Sequence, residues 1–352
     1  MKIVKLINNL SSRQKSIIII IVILPLIICS LVNYCTIPDL TNEMVNTVTV
    51  EIPKGSTLQT IADTLKNKGL IQDTELFKIW IMSLGKEKDI KAGHFEVPEG
   101  LNYAQLAKYL SQAQAKQLKV TLLEGWLIKD IASKLNEKLD IDEKVFVDLT
   151  KDTAFISELG IDQINLEGYI LPDTYYFYWG MEEKLILKYL VNNCLSIFDS
   201  TALMQMDKLK MNKHQILTLA SIIEGEAILD KERKTIASVY YNRLRRKIKL
   251  QADPTIQYIL EGPPRRLLYK DLEIDSPYNT YKYYGLPPGP INNPGKKSIE
   301  AAIYPDTTKY IYFVATGDGG HAFSRTAAEH AKAKAKFNKV RREVRRNQKT
   351  AN

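Results

Sequence analysis

Cysteine is nearly absent, with 3 in 352 residues. Cys29 and Cys35 lie in or beside an apolar N-terminal run, and only Cys194 falls in the body of the chain. No disulfide framework is implied, and the body cysteine reads as a small buried hydrophobe. Histidine is scarce too. His94, His214, His321 and His330 make no HExxH spacing and no cysteine cluster joins them, which argues against a dedicated metal site. No GxSxG elbow and no phosphate-cradling glycine loop occurs. The SxxK string "SLGK" at 83–86 has no KTG or SDN companion and reads as coincidence. With metal, cofactor and serine chemistry set aside, carboxylates remain.

Acids are also missing from both ends. Residues 1–15 hold Lys2, Lys5, Arg13 and Lys15 with no acid, and residues 332–352 hold nine basic residues against Glu343 alone. These tails exceed the whole formal charge of +9, so the body between them is slightly acidic. A nucleic-acid partner is not expected, because no binding motif accompanies the basic ends. A basic terminus is either a solvated end or an adhesive for anionic lipid or wall polymer.

Residues 16–34, "SIIIIIVILPLIICSLVNY", carry no charge. Nineteen such residues suffice for one transmembrane helix. The basic flank precedes it, and Asp39 and Glu43 follow. Charge bias therefore keeps residues 1–15 in the cytoplasm and sends the rest outside the cell membrane. A cleaved signal peptide is the alternative, but the run is long for one and no small-x-small site follows it cleanly.

After a linker at 35–46 comes a three-fold repeat. "VTVEIPKGSTLQTIADTL", "GHFEVPEGLNYAQLAKYL" and "LKVTLLEGWLIKDIASKL" share a short strand and a turn at Gly55, Gly100 or Gly125. Each continues with an apolar triplet: Ile61, Ala62, Leu65; Leu106, Ala107, Leu110; Ile131, Ala132, Leu135. The spacing predicts strand, glycine turn and amphipathic helix. These units resemble LysM-type modules, which bind N-acetylglucosamine glycans; a platform without ligand is the plainer reading. Repeats occupy 47–158. From 159 to 331 the texture is mixed, with helices expected near 182–197, 213–229 and 231–246. A proline- and glycine-rich stretch at 275–295 is too long to be an incidental loop. The body is α+β, and 332–352 is a basic tail.

"LTLASIIEGEAIL", residues 217–229, places Glu224 and Glu226 in one of the most apolar helical runs. On a helical wheel both flank the stripe of Ile216, Leu219, Ala220, Ile223 and Ala227, so periodicity does not choose between them. Either could be an edge residue paired with a base, as Glu226 with Lys231 or Arg233. A glutamate against an apolar wall keeps its proton near neutral pH and can deliver it to a glycosidic oxygen. Two-carboxylate glycosidases need a second acid; Asp253 and Asp173 are candidates, although each lies beside a proline. The aromatic segments 175–179 and 278–284 suit either sugar faces or a core.

Several long strings in fixed order carry a resemblance: "LEGYILPDTY", "LASIIEGEA", "ASVYYNRL", "LQADPTIQY", "SPYNTYKYYGLPPGPINNPG", "AAIYP" and "YIYFVATGDGGHAFSRT". From the apolar run to about residue 331 the chain resembles the YceG-like endolytic murein transglycosylases of bacteria. The resemblance implies a peptidoglycan substrate and a single catalytic acid at the first glutamate of the "ASIIE" string, Glu224. Members commonly have lysine next, where this chain has Gly225. It also implies lytic cleavage: the acid protonates the glycosidic oxygen, then deprotonates the muramyl 6-hydroxyl, which attacks C1. By position, Glu167 and Asp173 would shape the cleft. Asn242, Gln251, Asp253 and Thr255 would hold hydroxyls or N-acetyl groups. Tyr278, Asn279 and Thr280, with the 285–289 loop, would line the channel, and His321, Phe323 and Ser324 would close the other wall. Peptidoglycan synthases are expected partners. Two other readings stand: a hydrolytic muramidase, and a glycan-binding membrane scaffold without activity.

Overall fold

Each repeat folds as its spacing predicts. Strands β1 (Thr47–Ile52), β2 (Gly93–Pro98) and β3 (Gln117–Thr121) lead through a turn into helices. Gly55, Gly100 and Gly125 turn the chain at φ 77, 80 and 78, a left-handed conformation that glycine adopts without steric cost. Helices α1 (Leu58–Asn67), α3 (Tyr103–Gln112) and α4 (Ile128–Leu139) follow, and all three apolar triplets are buried. Caps fix the starts. Thr57 accepts from the Thr60 N–H, Asn102 and Gln105 form a capping box, and Asp130 reaches back to the Leu127 N–H. Between the first two repeats lies α2 (Thr74–Ser83), started by Asp73.

This computed structural model describes residues 46–113, 115–260 and 262–350, with side-chain surroundings as far as 338. The apolar run at 16–34 lies outside the described residues. Among the described ones, no helix is long and apolar enough to cross a membrane.

The chain divides into two compact units. The first takes residues up to Leu118 with Tyr178–Gly180, and the second takes Lys119–Phe177 and everything from Met181. In the first, β1 and β2 pair antiparallel with Val50 opposite Phe95. Their inward residues join Ile61, Leu65, Phe77, Ile81, Leu106 and Leu110 in one core. Each such fully buried side chain contributes about 1.5–3 kcal/mol by leaving water. The third repeat belongs to the second unit, where its helix α4 packs on α5 (Glu143–Leu149).

The second unit is built around α9 (Lys213–Glu226), which packs against α10 (Arg233–Arg245), α11 (Asp253–Ile259) and α12 (Lys296–Ile303). Helices α6 (Thr153–Glu158), α7 (Glu183–Leu195) and α8 (Ser200–Leu209) precede it, with β4 (Thr174–Tyr178) before α7. A hairpin of β5 (Tyr312–Ala315) and β6 (His321–Ser324) then leads into α13 (Ala327–Thr350). Sequence periodicity did not anticipate β6, because four residues are too few to show alternation. Every residue of α9 from Ile216 to Ile223 is buried. A helix enclosed on all sides is apolar all round, which is why its wheel could not single out one acid.

Candidate active site

Glu224 and Glu226 lie two residues apart, about 200° around the helix, and meet different surroundings. Glu224 has a side chain only 7% exposed. Arg233 Nη1 donates to its Oε1 at 3.0 Å, and the Gly295 N–H donates to its Oε2 at 2.9 Å. Arg233 also donates to Asp230 and Ser298. This is a buried knot tying α9 to the start of α10 and α12. The apolar wall expected around Glu224 is not there: the nearby chain supplies a guanidinium and a backbone donor.

Glu226 is the last residue of α9 and is partly exposed. The Tyr240 hydroxyl donates to its Oε1 at 3.1 Å. Burial pushes its carboxyl up to about 7, and the charge of Asp253 pushes the same way. Tyr240, the Asp253 backbone N–H and Arg243 oppose the rise. A helix C-terminus concentrates carbonyl dipoles, a poor setting for an anion.

Two cavities meet at this point. One of about 820 Å³ is lined by Gly125, Leu127, Gly225, Glu226, Asp253 and Tyr258, among others. The other, of about 500 Å³, is lined by Glu226, Gln251, Asp253, Tyr281, Phe313 and His321, among others. Glu226 and Asp253 belong to both. Asp253 accepts a short hydrogen bond from the Tyr281 hydroxyl. Gly225 is needed for this junction. A Cβ there would sit 2.6 Å from the Pro254 Cβ, so only glycine lets the start of α11 bring Asp253 against the end of α9.

The other expected site residues divide into two groups. Gln251 lines the smaller cavity with φ 48, a left-handed backbone that a glutamine rarely adopts, held by its N–H donating to the Thr280 carbonyl. His321 lines the same cavity, its Nδ1 facing Glu232 Oε2 at 2.8 Å. Tyr278 packs its ring 4.9 Å from Tyr258, which lines the larger cavity. Glu167 accepts from the Ile128 N–H and from Asn293 Nδ2, and burial pushes it up to about 7 as well.

The rest do not reach either cavity and hold the frame instead. Asn242 donates to the Thr308 and Tyr310 carbonyls. Asn279 donates to those of Leu272 and Ile274. Thr255 and Thr280 bond each other at 2.9 Å, both buried. Ser324 is buried opposite Tyr312 in the hairpin. Asp173 is exposed and bonds the Thr174 N–H. Asn279 and Thr280 line a separate cavity of about 530 Å³ with Tyr283, Tyr284 and the loop from Gly285 to Pro288. The aromatics of 175–179 point inward at alternate positions, with Tyr175 and Phe177 in the core beside Tyr189.

Sequence reasoning passed over Tyr240, Arg243, Glu232 and Asn293, and it offered Arg233 as a partner of Glu226, whereas Arg233 pairs with Glu224. Asn293 is fully buried and accepts from the Gly168 and Ile170 N–H groups while donating to Glu167. An asparagine inside "PINNPG" shows no periodicity, so only its irregular string marked it.

Among the described residues no group of three or more His, Cys, Asp or Glu could hold a metal ion. The profile of the YceG-like family matches residues 50–336. The chain belongs to the YceG-like family. It is 38% identical over 309 residues to a Bacillus subtilis (strain 168) protein named endolytic murein transglycosylase, covering 83% of this chain and 85% of that one. A protein of the same name from Streptococcus pneumoniae (strain ATCC BAA-255 / R6) is 28% identical over 329 residues, which is 82% of this chain and 59% of the longer relative. A crystal structure of a YceG-like protein from Listeria monocytogenes superposes with a TM-score of 0.57 at 34% identity, covering 82% of this chain and 98% of that one. The junction of cavities at Glu226 thus lies inside the YceG-like region.

Proposed function

We propose that this YceG-like protein is a membrane-anchored endolytic murein transglycosylase whose acid is Glu226. The observation that carries the reading is one carboxyl, pushed up to about 7 by burial, at the meeting point of two cavities. Near neutral pH such a group is about half protonated, the state a general acid needs. The groove on either side suits a polymer bound across its own interior, consistent with endolytic cleavage.

The chemistry balances with one acid. Glu226 gives its proton to the oxygen linking C1 of the muramyl residue to C4 of the next sugar, and the C1–O bond breaks. The resulting carboxylate takes the proton of the muramyl 6-hydroxyl as O6 bonds C1. The product is a 1,6-anhydro end, no water enters, and Glu226 is again protonated. Asp253, held by Tyr281, supplies a fixed negative charge beside the positive charge developing at C1 and keeps Glu226 protonated. Glu224, where the family resemblance placed the acid, is assigned a positioning role through Arg233 and Gly295.

The position of Asp253 in both cavities favours a second reading, a hydrolytic muramidase in which Asp253 activates water. Mass spectrometry of murein digested by the purified protein separates them. Anhydro ends lack one water relative to reducing ends, and reducing ends alone would overturn the lytic reading. The anchor is the apolar run at 16–34, placing the groove outside the cell membrane; membrane fractionation with and without those residues tests it.

A further inference from the structure

The two cavities differ in charge. The larger has Lys129 beside Asp130. The smaller carries Arg243, His321, His330 and Lys334, and its acids are Glu226 and Asp253, at the junction. Two of the basic groups converge on Tyr312. The Arg243 guanidinium lies over its ring at 5.4 Å, and the His330 ring stacks on it at 5.0 Å. Burial, and then the charges of Lys334 and Arg243, hold the His330 pKa below its ordinary value, which places both cations within reach of a His330 ring that stays neutral near neutral pH.

Among the described residues none of Arg243, His330 and Lys334 forms an ion pair, and the carboxyl whose charge acts on Arg243 is that of Glu226. Arg243 is buried and donates from Nε to the Ile311 carbonyl and from Nη1 to those of Lys249 and Leu250, bonds that do not neutralise it. His330 Nδ1 is buried and has no hydrogen-bond partner among the described residues. His330, Lys334 and Phe337 stand at i, i+4 and i+7 of α13, so one stripe of that helix forms the cavity wall. From the other wall, Glu232 fixes His321 by accepting from its backbone N–H at 3.1 Å and facing its Nδ1. Gathering cations in a partly desolvated space is unfavourable unless an anion completes it.

We propose that the smaller cavity is an anion subsite in which Arg243, His330 and Lys334 receive a carboxylate carried by the substrate strand. This rests on the murein reading. In murein that carboxylate is either the lactyl group of a muramyl residue without peptide or a free carboxylate of the stem peptide. The subsite then fixes which sugar lies on which side of Glu226: the muramyl residue whose C1 reacts sets its substituent against α13. The start of α13 is thus part of the groove rather than a solvated tail.

The test uses full-length protein. Binding of N-acetylmuramic acid and N-acetylglucosamine, which differ by the lactyl carboxylate, is measured by calorimetry at low and high salt, with muramyl dipeptide as third ligand. Preference for the carboxylate ligands of about fivefold, shrinking with salt, is expected. Lys334→Gln with His330→Gln should abolish that preference, and Lys334→Arg should retain it. Equal binding of all three ligands, or a preference untouched by the double variant, overturns the subsite. Cleavage kinetics then separate the sources. A rise in KM of the double variant, with kcat held within about twofold, on peptide-bearing strands alone assigns the stem peptide; the same rise on peptide-stripped strands alone assigns the lactyl group. If the wild type cleaves neither strand, the murein reading fails, while the ligand preference is still decided by calorimetry.

Discussion

Replacing Glu226 by glutamine should make the protein inactive and, above neutral pH, more stable. Burial raises the carboxyl from the ordinary 4.5 to about 7. At about 1.4 kcal/mol per pH unit, the ionised form costs the folded state at most about 3 kcal/mol. The sign follows from proton uptake. Between pH 4.5 and 7 the folded protein holds a proton there that the unfolded chain has lost, so stability is greatest below about 4.5 and falls until about 7. Glu167 has the same elevation and adds its own decline over the same window. Asp271, held down to about 2 by Arg265, acts only at more acid pH, while His330, held below its ordinary value by burial, acts against the decline within the window. Glutamine at 226 should therefore make the decline in denaturation midpoint between pH 4.5 and 8 shallower, and match the wild type near pH 4. On murein the variant should lose about 10²–10⁴ in rate, the usual contribution of a general acid. The paired readout is chemical denaturation across pH and mass spectrometry of released fragments. An active Glu226→Gln protein, or one whose pH dependence of stability equals the wild type, refutes the reasoning.

Glu224→Gln should lower stability by about 3–5 kcal/mol, because it leaves Arg233 buried without its carboxylate; adding Arg233→Met should recover part of the loss, as read by urea midpoint. A stable but inactive Glu224→Gln beside an active Glu226→Gln would reverse the assignment of the two acids. Gly225→Ala should cost more than tenfold in activity although alanine favours helix by about 1 kcal/mol, since its Cβ meets Pro254 and displaces Asp253. Asn293→Leu should destabilise by about 2 kcal/mol or more through the unpaired Gly168 and Ile170 N–H groups, seen as a fall in melting temperature.

The repeats were legible in the sequence because each is local. Strand, glycine and apolar triplet lie within about twenty residues, and their physics is a turn and one amphipathic face. The helices around α9 were legible for the same reason. What the sequence did not disclose is long-range. Arg233 and Gly295 reach Glu224 from different elements, Tyr240 and Asp253 reach Glu226, and none of these pairings follows a helical or strand period. The short strand β6 that carries His321 was missed likewise. Composition also hid the use of the C-terminal basic residues, because a charge run looks the same whether it meets solvent or a cavity.

Two acids on one buried helix now have separate explanations. Residues i and i+2 point away from each other, so Glu224 and Glu226 cannot share an environment. The chain gives the first an arginine and a backbone donor, which makes a fixed strut between α9, α10 and α12. It gives the second burial, a neighbouring aspartate and the carbonyl end of a helix, which leave it a weak acid at an open junction although the Tyr240 hydroxyl donates to it. The strut and the acid depend on each other. Arg233 and Gly295 hold the last turn of α9 in place, and glycine at 225 lets α11 close on it. Filling Gly225 or breaking the Arg233 pair should thus change activity through the position of Glu226, with its pH profile displaced. Loss of activity with an unchanged profile would instead mean that the two acids act independently.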